Sequence, residues 1–465
     1  MHACPLSTCR AFRLLTEKAI VAAALLLMLQ TWCVEGLVPS CRVESGSMAP
    51  TLLGTHREVV CGDCGYAFVC GTDAQPVGAR AVCPNCGYPQ NDLQLRPDLP
   101  GDRLLIHKAI FRMRQPRRWE VAAFRHPQRS SQTAIKRIVG LLGESVEIRD
   151  GNLYIDGRLQ RKSLFEQRVL AVPVHDARFR PLEPALPPRW QMQSKNSRWG
   201  SHDGRFAHPD SSDPEIDWIE YCHWQRLPDE EAGVFETPVT DQWNFDCSRP
   251  RRNEDINPTA ELMLRLTFER IWGEGELVLR AIDGHNQFDV RLNPAQRRYH
   301  VLRNDREIPA GSGRINLLVS GTELELSLID RQFVLAIDGT PLVTWPYEFD
   351  GQQAAAAPSR PLAIGSRGVG VVIRDLRVLR DVYYTQPKGG AWGIGHPYQL
   401  GENEYFVLGD NSPISQDSRT WAPEPAVSAD LLVGKPFLVH FPARRVEWLG
   451  YVFHVPDLAE IRYIR

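Results

Sequence analysis

A chain of 465 residues has room for two to four domains. With 43% hydrophobic and 24% charged residues its composition is that of a globular protein, and a net charge of -2 gives no sign of a nucleic-acid partner. Pro and Gly, 35 of each, fit a turn-rich β chain better than a helical bundle.

The first predicted element is apolar. Residues 19–34 (AIVAAALLLMLQTWCV) carry no charge, follow Arg10, Arg13 and Lys18, and precede Glu35. As a helix they cover about 24 Å, close to the ~30 Å hydrocarbon core, and the apolar run resumes at Gly36-Leu37-Val38. The alternatives are a cleaved signal peptide and a lipoprotein anchor at Cys33. The following QTWCVEGLVPSC has no A-x-A pattern, and bulky Trp32 precedes Cys33. The expectation is therefore a retained transmembrane helix over 19–38, with residues 1–18 cytoplasmic and the rest outside.

ESGSMAPT follows at 44–51 and, taken alone, reads as a polar linker. A cysteine-dense stretch, 58–90, comes next. CGDCG and CPNCG stand eighteen residues apart and match a Cys4 zinc ribbon with ligands Cys61, Cys64, Cys83 and Cys86. Each C-x-x-C lets two sulfurs of one turn face one ion. Two disulfides are the alternative, since the segment is expected outside the cytoplasm. Its role reads as a structural staple for a segment too small to have a core. Cys70 is surplus to this count and reads as a core or free thiol.

Residues 101–160 alternate like strands: DRLLIHKAIF, EVAAF, AIKRIVGLL, SVEIRDGNLYIDG, the last with a hairpin turn. Lys136 falls inside an apolar strand that places Ala134 and Ile138 on its face. The bland alternative is a solvated lysine paired with an acid. Residues 175–260 are rich in Pro, Trp, Asp and Arg and show little periodicity. Residues 261–380 contain about nine short strands, from LMLRLTF and ELVLRAID through RINLLVSG to GVVIRDLRVLR, which suggest a sandwich or jelly roll. The closing IRDLRVLR resembles the last strand of concanavalin-like and laminin-G-like sandwiches. Trp190, Trp199, Trp218, Trp224, Trp272 and Trp345 read as core more readily than as stacking platforms. Cys222 and Cys247 are candidates for a disulfide. From residue 400 the earlier style returns in YFVLGDNSPISQDSRTW and DLLVGKPFLVHF.

ESGSMAPT, GDRLLIHK (101–108), AIKRIVGLLGESVEI (134–148) and YFVLGDNSPISQDSRTW (405–421), in this order behind one apolar segment, resemble the boxes of bacterial type I signal peptidases. These are membrane-anchored Ser/Lys proteases. The resemblance implies Ser47 as nucleophile and Lys136 as general base. It implies an oxyanion site from the Ser47 backbone N–H and the Ser45 hydroxyl. It assigns Ser415 to orienting the lysine, Asp417 and Arg419 to an ion pair holding the loop, and Gly409, Asp410 and Asn411 to the turn behind the site. The chemistry fits: a serine needs a base, and a lysine is one only when burial keeps it neutral. Glu44 stands where the family commonly has proline; Leu142 and Glu144 replace a proline and an aspartate.

The expected architecture is mainly β: a catalytic domain in two parts, 39–164 and 386–465, with the ribbon (58–90) and a sandwich (165–385) as insertions. The implied function is removal of signal peptides from exported preproteins at the outer face of the bacterial cytoplasmic membrane. No cofactor is expected for catalysis, and signal peptides and the lipid bilayer are the expected partners. The alternative is a membrane-tethered protein whose sandwich binds a glycan or protein partner over an inert core. A self-cleaving Ser/Lys repressor is a third reading, opposed by the span.

Overall fold

The computed structural model describes residues 6–28, 36–72, 80–94, 96–227, 233–242, 245, 256–348, 356–387, 391–440, 443–448, 451–456 and 461–464. The elements used below are helices α1 (Leu6–Met28), α2 (Ile110–Met113) and α3 (Leu164–Leu170). The strands are β1 (Ser40–Arg42), β2 (Arg103–His107), β3 (Val121–His126), β4 (Arg129–Gly140), β5 (Leu262–Ile282), β6 (Leu362–Arg380), β7 (Glu404–Leu408) and β8 (Leu432–Val439).

The expected span over 19–38 is corrected in part. Helix α1 starts earlier, at Leu6, and carries Arg10, Arg13, Glu17 and Lys18. Among the described residues no helix is long and apolar enough to cross a membrane. Residues 29–35 of the expected span lie outside the described residues.

One antiparallel sheet carries the strands recognised on either side of the large insertion. Its order is β1–β2–β8–β3–β4–β7, followed by Val427–Ser428. It is built from far-apart segments: Leu408 of β7 faces Arg137 of β4, and Val439 of β8 faces Leu104 of β2. A small sheet of Ser145–Arg149, Asn152–Ile155, Arg158–Leu159 and Tyr398–Gln399 packs beside it. Its first hairpin turns at Asp150-Gly151, both at positive φ (49° and 81°), as a tight hairpin requires.

The region between the two parts of the first sheet is one 13-stranded antiparallel sheet organised by two long paired strands, β5 and β6. The first part of β5 pairs with Glu323–Ile329 and its last part with Gln287–Asn293. The pairing partner of β5 thus changes along its length, and three register shifts between Arg265 and Glu276 interrupt its ladder with β6. The sheet's buried core includes Leu264, Phe268, Phe288, Phe333, Ile364 and Val378. The glycines of GEG at 273–275 suggest a turn between two strands in the sequence. They instead mark a close approach inside one strand: a Cβ on Gly275 would lie 1.9 Å from the Arg367 carbonyl oxygen. RINLLVSG, expected as a strand, is irregular after Arg314, and Arg306–Arg314 forms the strand instead. The region without periodicity contributes short strands, among them Trp190–Met192 and Asp217–Tyr221, that add to β6 or to one another.

Of the tryptophans, Trp190, Trp199 and Trp224 are buried, Trp218 and Trp345 are half-buried, and Trp272 is exposed. Cys222 is a buried free thiol, which removes the expected Cys222–Cys247 disulfide; Cys247 lies outside the described residues. Cys70 is disulfide-bonded, not a free thiol.

Candidate active site

The nucleophile candidate sits on a tight turn. Ser45 is extended, and Gly46–Met48 form one 3-10 turn anchored by buried Met48, Ala49 and Leu52. Gly46 is required there: a Cβ would lie 1.9 Å from the Phe245 ring. The turn is clamped from the late loop. The Asn411 backbone N–H donates to the Ser47 carbonyl at 3.0 Å, and Asn411 Nδ2 donates to the Gly46 carbonyl at 3.2 Å. Gly409 makes this approach feasible, since a Cβ there would fall 2.5 Å from the Ser47 carbonyl and 2.2 Å from Ser415 Oγ.

Lys136 faces the turn from β4, opposite Ala122 of β3. Its Nζ lies 2.6 Å from Ser47 Oγ, and Ser45 Oγ donates to Ser47 Oγ at 3.1 Å. The side chain is 5% exposed. Burial pulls its amine down from 10.5 to about 8; the Arg419 charge pushes the same way, and Asp417 and Asp410 oppose it. The solvated, ion-paired alternative therefore fails. The burial is fuller than simple alternation predicts: residues 136–140 are all buried, so both faces of this half of β4 are covered.

Two fully buried ion pairs hold the backing loop. Arg419 grips Asp417 at 2.9 and 2.7 Å and also donates to Ser412 Oγ and the Thr385 carbonyl, both at 2.7 Å. Burial opposes ionisation of Asp417, but the Arg419 guanidinium holds its carboxyl below the usual range. Arg137 grips Asp410 at 2.7 and 2.6 Å, Thr51 Oγ1 donates to the same carboxylate at 2.5 Å, and Arg137 also donates to the Trp119 carbonyl. Sequence reasoning placed Asp410 in the turn but missed Arg137, Thr51, Thr385 and Ser412 as its supports. Arg137 directly after Lys136 was the available signal, because strand neighbours point to opposite faces.

Ser415, expected to orient the lysine, is brought to the site, but its buried Oγ has no hydrogen-bond partner here. Of the departures, Glu144 pairs with Arg118 at 2.7 Å and caps the Leu141 N–H, so the longer acid still closes its turn. Glu44 is exposed on the wall of a cleft of about 750 Å³ that runs past Ser45, Ser47 and Lys136. Two strand edges border this cleft. Among the described residues, β1 pairs only with β2, and residues 129–136 of β4 pair only with β3.

The four cysteines belong to a cluster of their own, and none of them lines the cleft. Strands His56–Val60 and Ala67–Gly71 flank the first knuckle, and Arg80–Ala81 and Asn91–Asp92 the second. Gly65 and Gly87 take φ of 73° and 71°, closing the two turns alike. Cys61, Cys64, Cys83 and Cys86 are all free thiols, and their sulfurs lie within 4.8 Å of one another. The disulfide alternative is thereby excluded. The Cys61–Cys86 and Cys64–Cys83 sulfur separations are 3.6 and 3.7 Å. Sulfurs about 2.3 Å from a tetrahedral zinc stand roughly 3.8 Å apart, so the donor set fits that ion.

A second cluster was not foreseen. Lys162 Nζ lies 2.7 Å from Asp330 and 2.9 Å from Asp381, both buried, with Glu261 beside them. The ammonium occupies the position a cation would take, which makes this an ion-pair cluster.

Comparison with known proteins points to one family. Residues 88–209 and 336–441 match the family model described as "Signal peptidase, peptidase S26". "Probable signal peptidase I-2" of Synechocystis is 34% identical over 81 residues, covering 16% of this chain and 35% of that protein. "Signal peptidase I V" of Bacillus subtilis is 33% identical over 58 residues, covering 12% and 33%. The chain thus spans about a third of the length of these curated relatives. Among solved structures, a carbohydrate-binding module from Bacillus subtilis aligns with 41% of this chain and 94% of its own at 8% identity and a TM-score of 0.25. The Crh5 transglycosylase aligns with 48% and 84% at 9% identity and a TM-score of 0.26. Both are too distant to bear on fold or function.

Proposed function

We propose that the chain is a membrane-bound serine endopeptidase that removes signal peptides from exported preproteins, with Ser47 as nucleophile and Lys136 as general base. The observation that carries this reading is the 2.6 Å contact between Ser47 Oγ and a buried lysine amine whose affinity for its proton burial lowers. The local family matches support it. The substrate lies extended in the cleft between the free edges of β1 and β4, where backbone hydrogen bonds hold it. Lys136 takes the Ser47 proton as Oγ attacks the scissile carbonyl. The developing oxyanion is met by the Ser47 backbone N–H and by the Ser45 hydroxyl, which turns from Ser47 Oγ. Lys136 then gives its proton to the leaving amine, and a water hydrolyses the acyl-enzyme with Lys136 again as base. Asn411, Gly409 and the Asp410 and Asp417 ion pairs fix the turn that carries Ser47, and Ser415 closes the pocket behind the lysine. The domain lies on the outer face of the bacterial cytoplasmic membrane.

In the same reading Cys61, Cys64, Cys83 and Cys86 hold a structural zinc, which ties the two knuckles together and takes no part in catalysis.

The test is processing of a preprotein by detergent-solubilised protein, with Ser47→Ala and Lys136→Ala variants. Each variant is expected to lose at least about 10³-fold in rate. Undiminished processing by either one defeats the dyad.

A further inference from the structure

The Pro-rich stretch EPALPPRW, residues 183–190, carries near its end a charge that the peptidase reading does not use. Arg189 is 7% exposed. The fully buried Arg137 and Arg419 each grip a carboxylate, whereas Arg189 meets only neutral groups among the described residues. Its Nε donates to the Asn85 carbonyl at 3.2 Å, its Nη1 lies 3.2 Å from His223 Nδ1, and its guanidinium stands 4.1 Å over the Trp224 ring. Burial, and after it the Arg189 charge, hold the His175 and His223 imidazoles well below the usual histidine range, so neither adds a second charge. A guanidinium carries more N–H donors than these neighbours accept, and a buried cation without an anion is costly.

Arg189 lines a cavity of about 160 Å³ between the second knuckle of the ribbon and the insertion. Most of the wall is apolar or aromatic, from Phe179, Leu186, Pro187, Trp190, Phe206 and Trp224. Three more buried polar atoms of the lining residues have no partner: His175 Nδ1, Trp190 Nε1 and Trp224 Nε1. The two indole nitrogens are donors, and buried donors without an acceptor are rare in folded proteins. Two further charges border the cavity. Arg180 is exposed, 5.7 Å from the centre of the Phe206 ring, and Glu183 accepts the Ala185 N–H at 3.0 Å within its own turn. A cation with spare donors in an apolar chamber has the chemistry of a site for a small organic acid.

We propose that this cavity binds a small carboxylic acid whose apolar body is the size of about one ring, with its carboxylate on Arg189 and on the Trp190 and Trp224 N–H groups. The apolar walls take the ring, which sets such an acid apart from an inorganic anion. The bound acid bridges the ribbon, through Asn85 and Cys86, to Trp190 and Phe206 of the insertion. No residue lines both this cavity and the cleft, so the site goes beyond the peptidase reading and stands without it.

Calorimetric titration of the detergent-solubilised full chain, against a detergent blank, tests it with benzoate as probe. Benzamide keeps the ring without the charge, and acetate keeps the charge without the ring. Benzoate is expected to bind at least about tenfold more tightly than either, since a hydrogen bond to an ionised group and a buried ring each contribute that much. Arg189→Met is expected to bring benzoate down to the level of benzamide with circular dichroism unchanged. Hydrogen exchange on the parent chain locates the site without a variant. Benzoate is expected to slow the Cys222 amide, which donates to the Arg189 carbonyl at 2.6 Å, and to leave the amides of β4 unchanged. Benzoate no tighter than benzamide, acetate as tight as benzoate, a preference that survives in folded Arg189→Met, or no added protection at Cys222 overturns the proposal. Neither measurement reads proteolysis, so failure here is distinct from failure of the dyad.

Discussion

At the scale of single residues the decisive quantity is the charge on Lys136. A solvated lysine is neutral roughly once in 2,500 at pH 7. With its amine drawn to about 8, chiefly by burial, about one in ten is neutral. Cleavage rate is therefore expected to rise with pH and level off above about 8; a rate still climbing tenfold per unit at pH 9.5 would show a solvated base. The same burial costs stability. The native amine binds its proton less tightly than the unfolded one, so the penalty is complete below about pH 8 and fades toward pH 10.5. Lys136→Met is expected to stabilise the fold on the order of 3 kcal/mol at pH 7, less at pH 9.5, while abolishing activity. Thermal melts at the two pH values check this, and an unchanged or lowered Tm at pH 7 contradicts it. Ser47 and Lys136 were legible because residue type and box order survive in the sequence. The Arg137–Asp410 pair was not, because 273 residues separate partners that only the pairing of β4 with β7 brings together.

At the scale of elements the ribbon shows how far spacing reaches. The two C-x-x-C-G knuckles were readable because the turn that brings two cysteines together is written in local spacing, and the four sulfurs do lie within 4.8 Å of one another. What they dock against was not. The Asp63 carboxylate pairs with Arg226 and accepts the Leu182 N–H at 2.8 Å. Asn85 accepts the Asp176 N–H and donates to the Phe179 carbonyl, both at 2.8 Å. Each knuckle thus offers a polar residue to the insertion, from a region whose lack of periodicity hid its short strands. About one zinc per chain is expected, lost in Cys61→Ser. Chelation is expected to speed hydrogen exchange through residues 176–189 as well as in the ribbon, while the buried amides of β4 stay protected. Metal analysis with exchange mass spectrometry decides it. No metal in the parent chain rejects the ribbon, and protection of 176–189 unchanged by chelation rejects the docking role.

At the scale of the molecule the question is how the small sheet that carries Lys136 tolerates so large an insertion between β4 and β7. A domain can be inserted where its ends lie close together, because the host strands then need not move. Here the ends meet: Lys162, entering just before α3, lies 2.9 Å from Asp381, one residue past β6. Asp330 and Glu261 of the inserted sheets close the cluster, and Lys162 Nζ stands 5.1 Å over the ring of Trp119, whose carbonyl holds Arg137. Nothing in the sequence marks this joint, since its four charges come from four segments and resemble any solvated residues. One ammonium serves three carboxylates. Burial and mutual repulsion push the carboxyls of Glu261 and Asp381 up to about 8 and about 6. Lys162→Met leaves these acids without their cation and is expected to destabilise the fold by about 3–5 kcal/mol at pH 8. The loss should shrink toward pH 5, where the acids take up protons that the native state binds more tightly than the unfolded chain. Denaturant melts of both chains at pH 5 and pH 8 provide the measurement. A deficit equal at the two pH values would mean that the lysine contributes packing alone and that the joint is not held by charge.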